Sequence, residues 1–126
     1  MTDHAAADDW FHRYRVAWES NDEADIRGLF TNDAVYHHDP ADPEPSVGLE
    51  AIVANWLENA DRPGDTDFEW QTLAVDGEVA IARCVTVYVR LDPPVTFDNL
   101  FVVRLTPDGR ATEFTDWYIE RKRRDA

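Results

Sequence analysis

Cysteine is almost absent: Cys84 stands alone in 126 residues. No internal disulfide can form, and a lone thiol suits a reducing cytoplasm. No apolar run approaches the roughly 20 residues that a membrane helix needs, so no membrane partner is expected. The opening MTDHAAADDW lacks the basic-then-apolar order of a secretory signal. Positive charge is scarce, with 12 basic residues against 26 acidic and a formal net charge of −14. Such a field repels phosphate backbones and argues against nucleic acid as a partner. Only Arg121-Lys122-Arg123-Arg124 runs the other way, and it reads as a solvated tail. Repeats, low-complexity segments and linkers are missing too. The chain reads as one domain over 1–126, with its core at about 8–121 and a basic tail at 121–126.

What is present is apolar and aromatic material, 44% and 12% of the chain, enough for a single core. Trp10, Phe11, Tyr14, Ala17 and Trp18 recur at one-face helical spacing, which predicts a helix from about 8 to 20. Asn21-Asp22 offers a cap for a short second helix carrying Ile26, Leu29 and Phe30. Ala34 to His38 reads as extended, and Pro40, Pro43 and Pro45 exclude regular structure until Gly48. A third helix points Ile52, Val53, Trp56 and Leu57 inward. The period then changes to two over Phe68–Ala74, Glu78–Arg90, Val95–Leu105 and Arg110–Glu120. Asp76-Gly77, Asp92-Pro93-Pro94 and Pro107-Asp108-Gly109 punctuate these segments as turns. The expected class is α+β: three N-terminal helices on a strongly curved, mainly antiparallel sheet, forming a cone with an apolar pocket.

The segments RYRVAWESNDEADIRGLFTNDAVYHHDP, GLEAIVANWL and FDNLFVVRLTPDGRATEFTDWYIE resemble the SnoaL-like proteins of the nuclear transport factor two-like superfamily, from about Trp10 to Arg121. That resemblance implies the cone-shaped fold, a homodimer through the convex sheet, and an apolar pocket. Tyr14 falls where ketosteroid isomerases carry an oxyanion-supporting tyrosine. His38 or Asp39 falls at their general base, but Phe101 replaces their second oxyanion acid. Against limonene epoxide hydrolases, Tyr36, His38 and Asp116 match the tyrosine, asparagine and second aspartate, while Cys84 and Thr86 stand in place of the Arg–Asp pair. Asp116 in EFTDWY also fits the single acid of SnoaL-type polyketide cyclases.

Strand alternation sorts these candidates. His37 and His38 point to opposite faces and cannot converge on one ion, so no metal is expected. Tyr36 and His38 share a face, as do Phe114, Asp116 and Tyr118. Ala80, Ala82, Cys84, Thr86 and Tyr88 form one side of a strand, and Phe97, Asn99, Phe101 and Val103 one side of the next. The resemblance assigns these sides to the concave face. A bulge at the Pro107-Asp108-Gly109 hairpin would decide between Asn99 and Asp98. Trp18 and Trp56 belong to packing and to the pocket wall, and Trp117 lies on the outer face as a candidate subunit contact. The expected site pairs His38 with Asp116 as acid and base, with Tyr14 or Tyr36 as polar anchors. The function expected is cofactor-independent proton transfer on a small, mostly apolar molecule bearing an oxygen function. The alternatives are a non-catalytic binding protein and an interaction module using the outer sheet face.

Overall fold

A computed structural model describes residues 2–122. Most of the basic tail lies outside them. The first helix, α1 (His4–Ser20), starts where the Asp3 carboxylate accepts the Ala6 N–H at 2.8 Å. It buries Ala7, Trp10, Phe11, Tyr14 and Ala17, a single stripe at intervals of three and four. It stops at Asn21, which takes the left-handed conformation (φ 51°) and returns its N–H to Ala17. Asp22 then caps α2 (Glu23–Arg27).

The short helix ends earlier than its apolar pattern suggests. Leu29 and Phe30 were expected on it, yet Gly28 closes it and Phe30 opens β1 (Phe30–His37). Both side chains are fully buried, so an apolar run alone did not separate helix from strand. The proline loop also departs from expectation. Asp39 and Asp42 side chains accept the N–H groups of Ala41 and Glu44, two turns that fold the loop back. The returning Ser46–Val47 forms β2, paired antiparallel to β1. After α3 (Leu49–Glu58) come β3 (Thr66–Asp76), β4 (Val79–Tyr88), β5 (Val95–Leu105) and β6 (Ala111–Glu120).

The six strands form one sheet in the order β2-β1-β6-β5-β4-β3. Every neighbouring pair is antiparallel except β1–β6, which is parallel. The class is therefore α+β, with three N-terminal helices and a mixed, mainly antiparallel sheet. Gly77 and Gly109 hold the β3–β4 and β5–β6 turns at φ 60° and 83°, a region costly for other residues. A bulge does occur at the β5–β6 end, between Arg104 and Leu105. Beyond it the register sets Asn99 opposite Tyr118 and Phe101 opposite Asp116. Asn99 is the inward residue, while Asp98 sits outside in an ion pair with Arg121.

The core is aromatic, with Trp10 at its centre. Its ring lies 5.4–6.0 Å from those of Phe11, Tyr14, Phe30 and Phe114. Its indole N–H donates to the Leu29 carbonyl at 3.0 Å, which satisfies a buried polar group and ties α1 to the entry of β1. Among the described residues, no helix is long and apolar enough to cross a membrane.

Candidate active site

The sheet and the C-terminal halves of α1 and α3 enclose a cavity of about 430 Å³. Three consecutive strands contribute a hydrogen-bonded row to it. Thr86 on β4 donates its hydroxyl to Asn99 Oδ1 at 3.0 Å. The amide is thereby oriented, and Asn99 Nδ2 on β5 donates to Asp116 Oδ1 on β6, also at 3.0 Å. Asp116 Oδ2 accepts no hydrogen bond from the described residues. Desolvation pushes the Asp116 carboxyl up from 3.8, and the Asn99 donor pulls it part of the way back, leaving it at about 6. A carboxylate so placed is ionised at neutral pH and far more basic than a surface aspartate.

Two tyrosines stand beside it. Tyr14 comes from the buried stripe of α1 and Tyr36 from β1, and their hydroxyl oxygens lie 2.8 Å apart. Tyr14 is 6% exposed and its ring stacks on Phe114 at 5.3 Å and 14°. Burial holds both phenols protonated well above the ordinary range, and the nearby Asp116 charge adds to this. Either hydroxyl can be the donor in this bond. With Tyr14 as the donor, the half-buried Tyr36 keeps its own proton for a ligand.

The SnoaL-like domain model matches residues 11–114, most of the chain. The chain belongs to the SnoaL-like domain family. No curated protein matches it in sequence. Its fold is similar to an NTF-2 like protein of unknown function from Burkholderia xenovorans, at TM-score 0.73 and 13% identity over 96% of this chain and 88% of that one. A ketosteroid isomerase-like protein from Erwinia carotovora atroseptica superposes at TM-score 0.66 with 17% identity, covering 91% and 95% of the two chains. An LEH-like epoxide hydrolase from M. tuberculosis gives 0.67 and 17%, over 91% and 84%.

In this SnoaL-like domain, Tyr88, Phe97, Phe101 and Tyr118 reach the cavity from β4, β5 and β6, and Trp18 and Trp56 from the helices. His38 lies on the wall as well, but the expected His38–Asp116 pair is not formed. His38 Nε2 meets Ser46 Oγ at 3.2 Å, and the partner of Asp116 is Asn99. Alternation placed the two residues on one face without saying which neighbours they meet. His37 points outward to Glu113 at 3.2 Å. Cys84 and Phe114, both expected to touch a ligand, do not line the cavity. They face the right way but are covered, at 1% and 0% exposure. Burial also raises the Cys84 thiol, keeping it protonated.

Sequence reasoning missed the polar residues at the mouth of the cavity: Asn21, Asn55, Asn59 and Asp61. They sit at helix ends and in the loop after α3, where no periodicity marks a face. The clustering of Asn and Asp at those ends was the available signal.

Proposed function

We propose that this SnoaL-like domain is a cofactor-independent acid–base enzyme acting on a small, mostly apolar carbonyl compound. The observation that carries this reading is Asp116, with one oxygen held by Asn99 and the other open to a cavity that also contains the Tyr14–Tyr36 pair. Asp116 Oδ2 takes a proton from the carbon next to the carbonyl. The C–H electron pair becomes the new C=C bond, and charge gathers on the carbonyl oxygen. Tyr36 donates its O–H to that oxygen, itself polarised by the hydrogen bond it accepts from Tyr14. Return of the proton from Asp116 to a different carbon gives an isomer; its delivery instead to a β-hydroxyl, as the enolate electron pair forms the Cα=Cβ bond and the C–O bond breaks, releases water and gives dehydration. A positioned base contributes about 10²–10⁴ in rate and one oxyanion donor about 10²–10³.

Exchange of the α-protons of a small cyclic ketone into deuterium oxide, followed by NMR, tests this. Exchange catalysed by the protein is expected to rise with pH through about 6 as Asp116 ionises, and then to level off. A rate that equals the buffer background at every pH would refute the reading.

The outer sheet face supports a second proposal, a homodimer. Trp117 and Ile119 on β6 are 50% and 73% exposed, and Leu73 on β3 is 51% exposed. Leu100 stands opposite Trp117, and Ile81 pairs with Val102, so apolar side chains continue across β4, β5 and β6. A second copy of this face is the partner proposed. Sedimentation is expected to give a dimer at micromolar concentration and a monomer for Trp117→Glu. A monomeric wild-type protein would exclude the pairing.

A further inference from the structure

The mouth of the cavity is built differently from its floor. Asp61, in the loop between α3 and β3, is fixed from two sides. The Trp18 indole N–H donates to its Oδ2 at 3.0 Å, and Asn21 Nδ2 donates to its backbone carbonyl at 2.7 Å. Asn21 is itself held by the Trp56 indole N–H at 3.2 Å. This network ties the end of α1, α3 and the loop together, so Asp61 is a positioned group. Its Oδ1 accepts no hydrogen bond from the described residues.

Aromatic side chains line the same cavity as that carboxylate. Trp18 and Trp56 flank Tyr14 on the helix side, with ring centroids at 6.1 and 5.2 Å from it. On the sheet side, Tyr88, Phe97 and Tyr118 form an edge-to-face ladder at 5.8 and 5.9 Å. Burial first, and then the Asp61 charge, raise the Tyr88 phenol, so the carboxylate also acts on the sheet side of the mouth. Asn55 and Asn59 add side-chain amides to the same rim. Among the described residues lining the cavity none is lysine or arginine, whereas two are aspartates. Apart from the His38 imidazole, phosphates, carboxylates and other anions therefore meet no basic side chain there. A carboxylate with one oxygen free, in a cavity lined by aromatic side chains, suits an organic cation. The net charge of −14 favours the same class at longer range.

We propose that the cavity mouth is an ammonium site, in which Asp61 pairs with a protonated amine lodged against Trp18, Trp56 and Tyr88. The substrate class is then a carbonyl compound bearing an amine at its far end, a refinement that rests on the acid–base reading for its carbonyl half. The amine anchors the molecule through Asp61 Oδ1, and its apolar body crosses the cavity to place the carbonyl at Tyr36.

Benzylamine and benzyl alcohol are close in size and differ in charge at neutral pH. Each is titrated into the ¹⁵N-labelled protein while the indole N–H signals of Trp18 and Trp56 are followed. Benzylammonium is expected to bind at least tenfold more tightly, with the advantage shrinking as salt is added. In Asp61→Asn, whose amide oxygen still accepts from Trp18, the advantage is expected to vanish. Equal or tighter binding of benzyl alcohol to the wild-type protein overturns the proposal without recourse to any variant. So does an ammonium preference that persists in folded Asp61→Asn. Neither probe has a carbonyl, so the result is separate from ketone exchange. Failure here leaves the acid–base reading standing, and failure of exchange leaves the ammonium site standing.

Discussion

Asp116→Asn is expected to lower ketone α-proton exchange by about 10²–10⁴ while making the protein more stable at pH 7. The two effects share one cause. In the unfolded chain Asp116 loses its proton near 3.8, whereas in the folded protein it does so at about 6. Between those values the native state holds a proton that the unfolded state has released. Stability therefore falls as pH rises through this window, and the whole cost is present above about 6. Allowing for the water that reaches a half-buried group, ionised Asp116 costs about 1–3 kcal/mol. Asparagine keeps the shape and still accepts from Asn99, but carries no charge to desolvate. Melting at pH 7 is expected to rise by roughly 4 °C per kcal/mol gained. Below about pH 3, where aspartate is protonated in both states, the gain should disappear. A purely structural aspartate behaves in the opposite way, because its removal at pH 7 destabilises. Thermal melts of both proteins at about pH 3 and pH 7, beside the exchange rates, separate the two roles.

The largest loss of stability is expected at Trp10. Trp10→Ala empties the centre of the aromatic core, a change that costs about 3–5 kcal/mol. It also removes the indole hydrogen bond to the Leu29 carbonyl at 3.0 Å, a loss of about 0.5–1.5 kcal/mol, although that carbonyl keeps its bond from the Ala111 N–H at 2.7 Å. The sum is a large part of the roughly 5–15 kcal/mol that holds a domain of this size folded. Urea unfolding is the measurement, and a loss under about 2 kcal/mol would show that the core collapses around the gap. Trp10→Phe separates the two contributions, since it retains much of the ring volume and removes the donor. Tyr14 rests against Trp10 at 5.4 Å, so ligand binding is expected to weaken in any folded fraction.

The meander was legible because its turns carry distinctive chemistry. Asp76-Gly77 and Pro107-Asp108-Gly109 are turn sequences, and the strand read over Val95–Leu105 is found with those bounds. The helical stripe of α1 was equally plain. Phe30 was misassigned because a short buried strand and a short buried helix share an apolar pattern, and only tertiary pairing with Ala111 distinguishes them. The β2 strand escaped notice since it has two residues and lies behind three prolines. At the site, period-two alternation put Asp116, Asn99, Thr86 and Tyr36 on one side. It could not supply depth, which hides Cys84 and Phe114 under α1, nor the register that joins Asp116 to Asn99 instead of His38. Asp61 and its asparagine neighbours obey no period at all. Their place follows from the path of a loop, and that depends on where the helices dock.

The parallel pairing of β1 with β6 bears on how the molecule is made. Phe30 meets Ala111, and Tyr36 meets Phe114, across more than half the length of the chain. During synthesis the first strand therefore waits, unpaired on that edge, until the last has left the ribosome. Such distant pairings form slowly, because a long loop must close before any contact rewards it. Asp116 arrives on that same final strand, beside the tyrosine that has been waiting for it. The carboxylate and the tyrosine of the cavity thus come together only as the sheet is completed.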